Sequence, residues 1–368
     1  MTTIHAIKQN RAPVKSKRVR AGIFLAGIGT VGGAFAEQVN RLESKEFDFR
    51  FLGICNSRET AWNKTDVPIN GKIQSLFAEN RIKTNWNNIV TQLEQSDEKN
   101  LIFVDATGSE EVARYYVRIL RAGIHIVTPS KLANTFEQEF YNRLHEISAE
   151  NGTHYRYEAT AGAGLPVIES IRRLRETGDI ICKISGVVSG TMTYLFSQLE
   201  QGRSFGDVIR EAAEKGYAEP DPRDDLSGED VARKLIILAR TAGFYVNRTD
   251  FGSEDLTPES LKSVTKEEFL AQADIANEYW SNRISAAKER GNVLRYTGTL
   301  SGGKIEVGVS EVPASSPLGT LRGTDNQIQI YTDFYDEYPL IIQGPGAGRD
   351  VTAQAVLGDV LDVASRLG

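Results

Sequence analysis

The feature that most constrains this chain is a short glycine-rich run close to its start. Residues 21–26 (AGIFLA) are continuously apolar and lead directly into Gly27-Ile28-Gly29-Thr30-Val31-Gly32, after which residues 31–42 carry apolar side chains at helical spacing. This is the GxGxxG pattern in the one context that gives it meaning, after a strand and opening a helix. The first glycine allows the tight turn, the second lets a pyrophosphate approach the backbone, and the third lets helix and strand pack closely. The helix N-terminus then faces the phosphates with its free amides.

The next hundred residues repeat that theme. Residues 51–55 (FLGIC), 101–106 (LIFVDA) and 124–127 are further apolar runs, and a helical stretch at 110–121 separates the last two. Strand and helix in alternation predict βαβ units on a parallel sheet, and continuous apolar runs predict strands covered on both faces. Beyond about residue 150 the pattern changes. Residues 153–158 (THYRYE) read as half-exposed, and helices follow at 205–215 and 228–242 and through much of 261–290. Alternating runs at 293–300 and 304–312, joined by Ser301-Gly302-Gly303, predict a hairpin. Strands at 328–332 and 340–343 and a closing helix at 353–367 complete the chain.

The fold expected is therefore α/β: an N-terminal Rossmann dinucleotide-binding domain (18–152) joined to an α+β substrate and dimerisation domain (153–340). Residues 341–368 return to the cofactor domain, and residues 1–17 form a flexible basic tail, with Lys8, Arg11, Lys15 and Lys17 and no acid.

Composition removes several functions. A net charge of −6 argues against nucleic-acid binding, whose footprint is usually basic. No apolar run reaches the ~18 residues of a membrane helix. The two cysteines, Cys55 and Cys182, form neither a CxxC nor a Cys/His cluster, so they read as buried thiols in a reducing, cytoplasmic setting. The four histidines make no HExxH pattern that would point to a catalytic transition metal.

The cofactor side can be refined. Strand two ends in Cys55-Asn56-Ser57-Arg58, without the acid that an NAD site uses for the ribose 2′-hydroxyl. Arg58 is suited to a 2′-phosphate, which favours NADP(H), with NAD(H) as the alternative. Ligands of doubly wound sheets bind beyond the carboxyl ends of the strands. Thr107 and Lys131, which follow the third and fourth runs, are therefore placed toward the nicotinamide.

The most distinctive stretch is GYAEPDPRDDLSGEDVARK, residues 216–234. It reads as a rigid acidic loop stiffened by Pro220 and Pro222, with Ser227 and Asp230 as a capping box that opens a helix. On that helix Asp230 and Lys234 stand four apart, close enough to interact.

This segment resembles the signature of homoserine dehydrogenases. So do GIGTVGG, TPSKLANT, YEATAGAGLPVIES, SGVVSGTMTYLF, LRYTGTL and GPGAGRDVTA, which extend the resemblance from about Arg18 to the end of the chain. One departure is Ser130, where many members carry Asn before the lysine. The chain resembles most the dehydrogenase half of bifunctional aspartokinase–homoserine dehydrogenases, without the kinase and without the C-terminal ACT domain of many monofunctional members.

The resemblance implies NADPH-dependent reduction of L-aspartate 4-semialdehyde to L-homoserine by a homodimer, in threonine and methionine biosynthesis. It implies Lys234 as acid/base and Lys131 as a second lysine between nicotinamide and substrate. It implies that Glu219, Asp230, Tyr217, Thr191 and Asp225 hold the substrate, with Glu219 on its ammonium group, and that Gly346 and Ala347 touch the cofactor. It also implies a monovalent cation, such as sodium, at Glu158 and the carbonyls of Ala161, Ala163 and Leu165. The alternative is another Rossmann NAD(P)-dependent amino-acid oxidoreductase. A thioester-forming semialdehyde dehydrogenase is disfavoured because Cys182 has no neighbouring histidine.

Overall fold

A computed structural model describes residues 18–63 and 81–367. The proposed basic tail, 1–17, lies outside the described residues.

The first sheet is built on a parallel core of β1 (Val19–Ala26), β2 (Phe47–Cys55), β5 (Leu101–Asp105), β6 (His125–Val127) and β7 (Tyr155–Arg156). The apolar runs are continuous because both faces are covered. Ile23, Leu25 and Val104 pack against helix Thr30–Arg41 and the C-terminal helix Arg349–Ser365, while Phe24, Phe103 and Ile126 face the larger core on the other side. The chain's last helix thus packs on the same sheet as its first.

The expectation of a purely parallel sheet needs one correction. Beyond β2 the edge is antiparallel, built from β3 (Glu59–Trp62) and β4 (Arg81–Lys83), so among the described residues the seven strands run in the order β4-β3-β2-β1-β5-β6-β7. Asn56 turns the corner, its Oδ1 accepting the amides of Arg58 and Glu59, both at 2.8 Å, a local side-chain turn of the kind Asn favours. A second correction concerns residues 153–158. They are not half-exposed: Tyr155 and Tyr157 are buried, because β7 closes the sheet against helix Gln138–Glu150.

The second sheet is antiparallel. Its strands are β8 (Ile181–Val187), β9 (Asn292–Ser301), β10 (Lys304–Pro313), β11 (Asp325–Thr332) and β12 (Leu340–Pro345), in the order β10-β9-β8-β11-β12. The hairpin β9–β10 turns through Gly302 and Gly303, both at positive φ, as a two-residue turn with the sheet's own twist requires. One face carries Ile184, Leu300, Ile328 and Ile330 and is covered by helices, among them Gly190–Glu200 and Glu229–Thr241. Helix Glu229–Thr241 comes so close that Leu235 occupies the space where a side chain on Gly298 would lie.

The opposite face is a ladder of polar side chains. Ser185 pairs with Thr299 at 3.1 Å, and Gln329, Gln327 and Gln343 are linked in series at 3.0 and 2.8 Å. Cys182 lies on the exposed side of β8, which corrects its reading as a buried thiol; Cys55 is buried. The ladder to β11 shifts register here, Lys183 pairing with Tyr331 and Ile181 with Thr332, so Cys182 is left unpaired and out of the alternation that buries Ile184.

Candidate active site

A cavity of about 920 Å³ opens between the two sheets. One wall comes from the carboxyl ends of β5 and β6, with Thr107 and Lys131. Another comes from the start of helix Gly190–Glu200, with Thr191. The segment 216–234 supplies Tyr217, Glu219, Asp225, Asp230 and Lys234, and the loop after β12 supplies Gly346 and Ala347. Most of the residues singled out from sequence therefore meet on one surface.

The floor is an ionic triad. Asp230 Oδ2 is 2.7 Å from Lys234 Nζ, and Oδ1 is 3.3 Å from Lys131 Nζ. Lys234 is buried and donates a second hydrogen bond, at 2.7 Å, to the carbonyl of Val188. Burial by itself raises the Asp230 carboxyl, but the two ammonium groups outweigh it and hold the group well below the usual carboxylate range. Although 43% of the Asp230 side chain is accessible, that surface faces the cavity. One carboxylate thus orients two lysines from different parts of the chain.

The local fold that achieves this differs from the expected one. The segment is not an irregular acidic loop throughout: residues Pro222–Leu226 form a short helix, N-capped by Asp221, whose side chain accepts the Arg223 amide at 3.0 Å. Ser227 and Asp230 do not form a capping box. Ser227 ends the short helix, its hydroxyl donating to the Asp224 carbonyl, while Gly228, at φ 72°, opens the long helix without a side-chain cap. Pairing with two lysines is the stronger interaction for Asp230. Only glycine suits position 228, since a Cβ there would lie 1.8 Å from Tyr296 Oη, besides the strain of a left-handed backbone.

Beside the triad, Asp225 accepts the Glu219 amide at 2.8 Å. Burial, with the charges of Glu219 and Asp230 nearby, pushes its carboxyl up to about 6. Thr191 donates to the Tyr217 carbonyl at 2.7 Å and so fixes the segment that presents Glu219. The result is an acidic wall facing two lysines, suited to a substrate with an ammonium group at one end and an electron-rich oxygen at the other.

The dinucleotide end lies at the tip of β1. Gly27 has φ 87°, and a Cβ on it would meet the Ala106 carbonyl at 2.6 Å. A Cβ on Gly32 would sit 1.9 Å from the Gly27 carbonyl, whereas the space over Gly29 is open. Helix Thr30–Arg41 starts with no side-chain cap, so the first amides remain available at an open surface, and these residues fit a pyrophosphate. Ile28, Thr30 and Val31 complete the turn, and Val31 reaches the cavity. Asn56 and Arg58 lie at the end of β2 rather than on the cavity. Arg58 is exposed, and among the described residues its guanidinium has no partner.

The cation residues fall differently. Both oxygens of the Glu158 carboxylate accept amides, from Ile168 at 2.8 Å and Glu169 at 2.7 Å, and so cap helix Val167–Glu176. Ala163 lines the cavity and holds φ 51°, rare for a residue with a Cβ.

Three residues that contact the site escaped the sequence reading. Asp105, fully buried, accepts the Thr107 amide and hydroxyl at 2.8 and 2.6 Å and the Tyr116 hydroxyl at 2.6 Å. Burial raises its carboxyl and these donors pull it down. It shapes the Thr107 turn, and an acid inside the apolar run LIFVDA was its signal. Val188 acts through its backbone, which composition cannot show. Asn326, the third, is buried beside Val188.

Comparison with known proteins gives the family. Residues 166–361 match the homoserine dehydrogenase family model, and residues 27–158 match the NAD-binding domain of homoserine dehydrogenase. The chain belongs to the homoserine dehydrogenase family. It is 36% identical over 364 residues to the bifunctional aspartokinase/homoserine dehydrogenase of Haemophilus influenzae, a match that covers 97% of this chain and 44% of that protein. The chain thus spans less than half the length of that curated relative. Among solved structures it is similar to a protein of unknown function from Candida auris, with TM-score 0.88, 35% identity, and coverage of 96% of this chain and 99% of that one. It is also similar to a putative homoserine dehydrogenase from Archaeoglobus fulgidus, with TM-score 0.74, 26% identity, and coverage of 93% and 99%. The Rossmann domain and antiparallel second sheet are therefore those of a homoserine dehydrogenase fold, with the family's NAD-binding domain at residues 27–158.

Proposed function

We propose that this protein catalyses the NADPH-dependent reduction of L-aspartate 4-semialdehyde to L-homoserine, with Lys234 as the proton donor. The observation that carries the reading is the Lys131–Asp230–Lys234 triad on the cavity floor, facing Glu219 and Asp225.

A nicotinamide bound beyond β5 and β6 supplies the hydride. The protein does the rest. Glu219 and Asp225 bind the substrate ammonium group and so orient the aldehyde toward the lysines. Lys234, with two of its three N–H groups taken by Asp230 and Val188, turns the third to the cavity. There it stabilises the developing alkoxide and transfers a proton to that oxygen, leaving a neutral amine beside Asp230. Lys131, held by the same carboxylate, adds positive charge on the nicotinamide side. The Gly27–Gly32 turn cradles the pyrophosphate, and Arg58 engages the 2′-phosphate. The carbonyls of Ala161, Ala163 and Leu165 hold a monovalent cation, with Glu158 shaping their loop through its cap on the next helix.

We further propose a homodimer formed through the polar face of the second sheet. Phe334 and Tyr338, 80% and 76% exposed, and Ile341 on the edge strand leave apolar area beside that face, and sheet edges are normally covered. Two free thiols fit a cytoplasmic setting.

The test is direct: mix purified protein with aspartate semialdehyde and NADPH, follow loss of the reduced nicotinamide, and identify homoserine by mass. Turnover yielding homoserine supports the reading. Absence of turnover with a folded, NADPH-binding protein refutes it.

A further inference from the structure

Lys234 is held by two acceptors of different kinds, the Asp230 carboxylate and the Val188 carbonyl, both at 2.7 Å. The β8–β11 ladder ends at the pair Val187 and Gln327, so no pairing between these two strands fixes Val188. The group that does contact its carbonyl is Asn326, whose Nδ2 donates to it at 3.1 Å. Asn326 is fully buried, and its Oδ1 has no hydrogen-bond partner among the described residues. A buried amide with half its capacity unused is costly where an apolar side chain would pack. Ile328 and Ile330 carry that apolar choice at the next two positions on the same face of β11. The carboxamide also lies flat against the GPGAG loop: a Cβ on Gly346 would come within 1.8 Å of Nδ2.

We propose that Asn326 is a positioning residue for Lys234, acting through the Val188 carbonyl, and that it requires glycine at position 346. The role rests on Lys234 being the proton donor. With Val188 anchored, the ammonium is held from two directions and its third N–H has one place to go. Because the same carboxamide packs on Gly346, the geometry of the lysine is tied to the loop that faces the dinucleotide.

Two substitutions test this. Asn326→Leu keeps the volume and removes the donor. Asn326→Asp keeps the shape and sets a carboxyl group against Val188. In the Leu variant kcat should fall about 10- to 100-fold, the cost of a misplaced catalytic group, while the NADPH dissociation constant changes less than about threefold. Placed in a Lys234→Met background, the same substitution should add no further loss, as expected of residues that act as one unit. In the Asp variant the carboxyl, at a fully buried position and facing a carbonyl oxygen, can donate to Val188 only while it holds its proton, so kcat should fall away at a lower pH than in wild type as that group ionises. The proposal is overturned by wild-type kcat in the Leu variant, by losses that add in the Lys234→Met background, or by a pH profile in the Asp variant identical to wild type. A kcat loss matched by an equal loss of NADPH affinity would also overturn it. Should the Leu variant not fold, the Asp variant decides alone. Activity that survives Lys234→Met would instead refute the role of Lys234, whatever Asn326 does.

Discussion

Lys131 Nζ stands 3.3 Å from Asp230 Oδ1, a contact that joins the loop after β6 to the helix beneath the second sheet. Because Asp230 also holds Lys234, the carboxylate is the hub through which both lysines are placed. Asp230→Asn removes the charge but keeps the shape. The expected result is a kcat lower by about 10²-fold, from lost orientation, with the upper pH limit of activity moved downward because the ammonium groups lose their counter-ion. Rate profiles of wild type and variant across pH would show both effects.

Arg58 is exposed at the end of β2, where a 2′-phosphate would lie. A charged hydrogen bond to phosphate contributes about 1.5–3 kcal/mol. Arg58→Ala should therefore lower kcat/KM for NADPH by about tenfold or more and leave NADH nearly unchanged. An unaltered ratio between the two cofactors would remove Arg58 from the cofactor site.

Glu158, half-buried, and Asp359, buried in helix Arg349–Ser365, form an acidic pair, with the Glu158 amide donating to Asp359 at 2.9 Å. Burial pushes Asp359 up to about 8 and Glu158 up to about 7. Carboxylates in an unfolded chain titrate near ~4. The native state thus keeps protons that the unfolded chain has released, so this contribution is complete below pH ~4 and is lost as pH rises through the folded values. Asp359→Asn can still accept the Glu158 amide but no longer titrates. Thermal melts should show the variant gaining stability over wild type above pH 8 and the difference shrinking toward acid pH. A constant difference at all pH values would contradict the assignment.

The parts of this molecule legible in the sequence were those written in local pattern. The turn Gly27–Gly32 and the β9–β10 hairpin appear where apolar period and glycine place them. Residues 216–234 announced the site through their density of acids and a lysine one helical turn beyond Asp230. What could not be read depended on tertiary contact. Ser227 and Asp230 have the spacing of a capping box, yet the pull of two lysines overrode it, and one of them comes from a distant loop. The strands β3, β4 and β7 are too short for a period to show. Val188 contributes a carbonyl, which every residue has. Asp105 is the single polar residue of an apolar strand and Asn326 one of several polar residues in β11, and only the partners they meet distinguish a site from a buried turn.

The central claim is that Lys234 delivers the proton to the reduced carbonyl. General acid catalysis contributes about 10²–10⁴-fold, so folded Lys234→Met should lose kcat in that range with a much smaller change in KM for aspartate semialdehyde. Lys131→Met, measured beside it, should lose less. Near-normal kcat in a folded Lys234→Met protein, or a larger loss in Lys131→Met, would contradict the account.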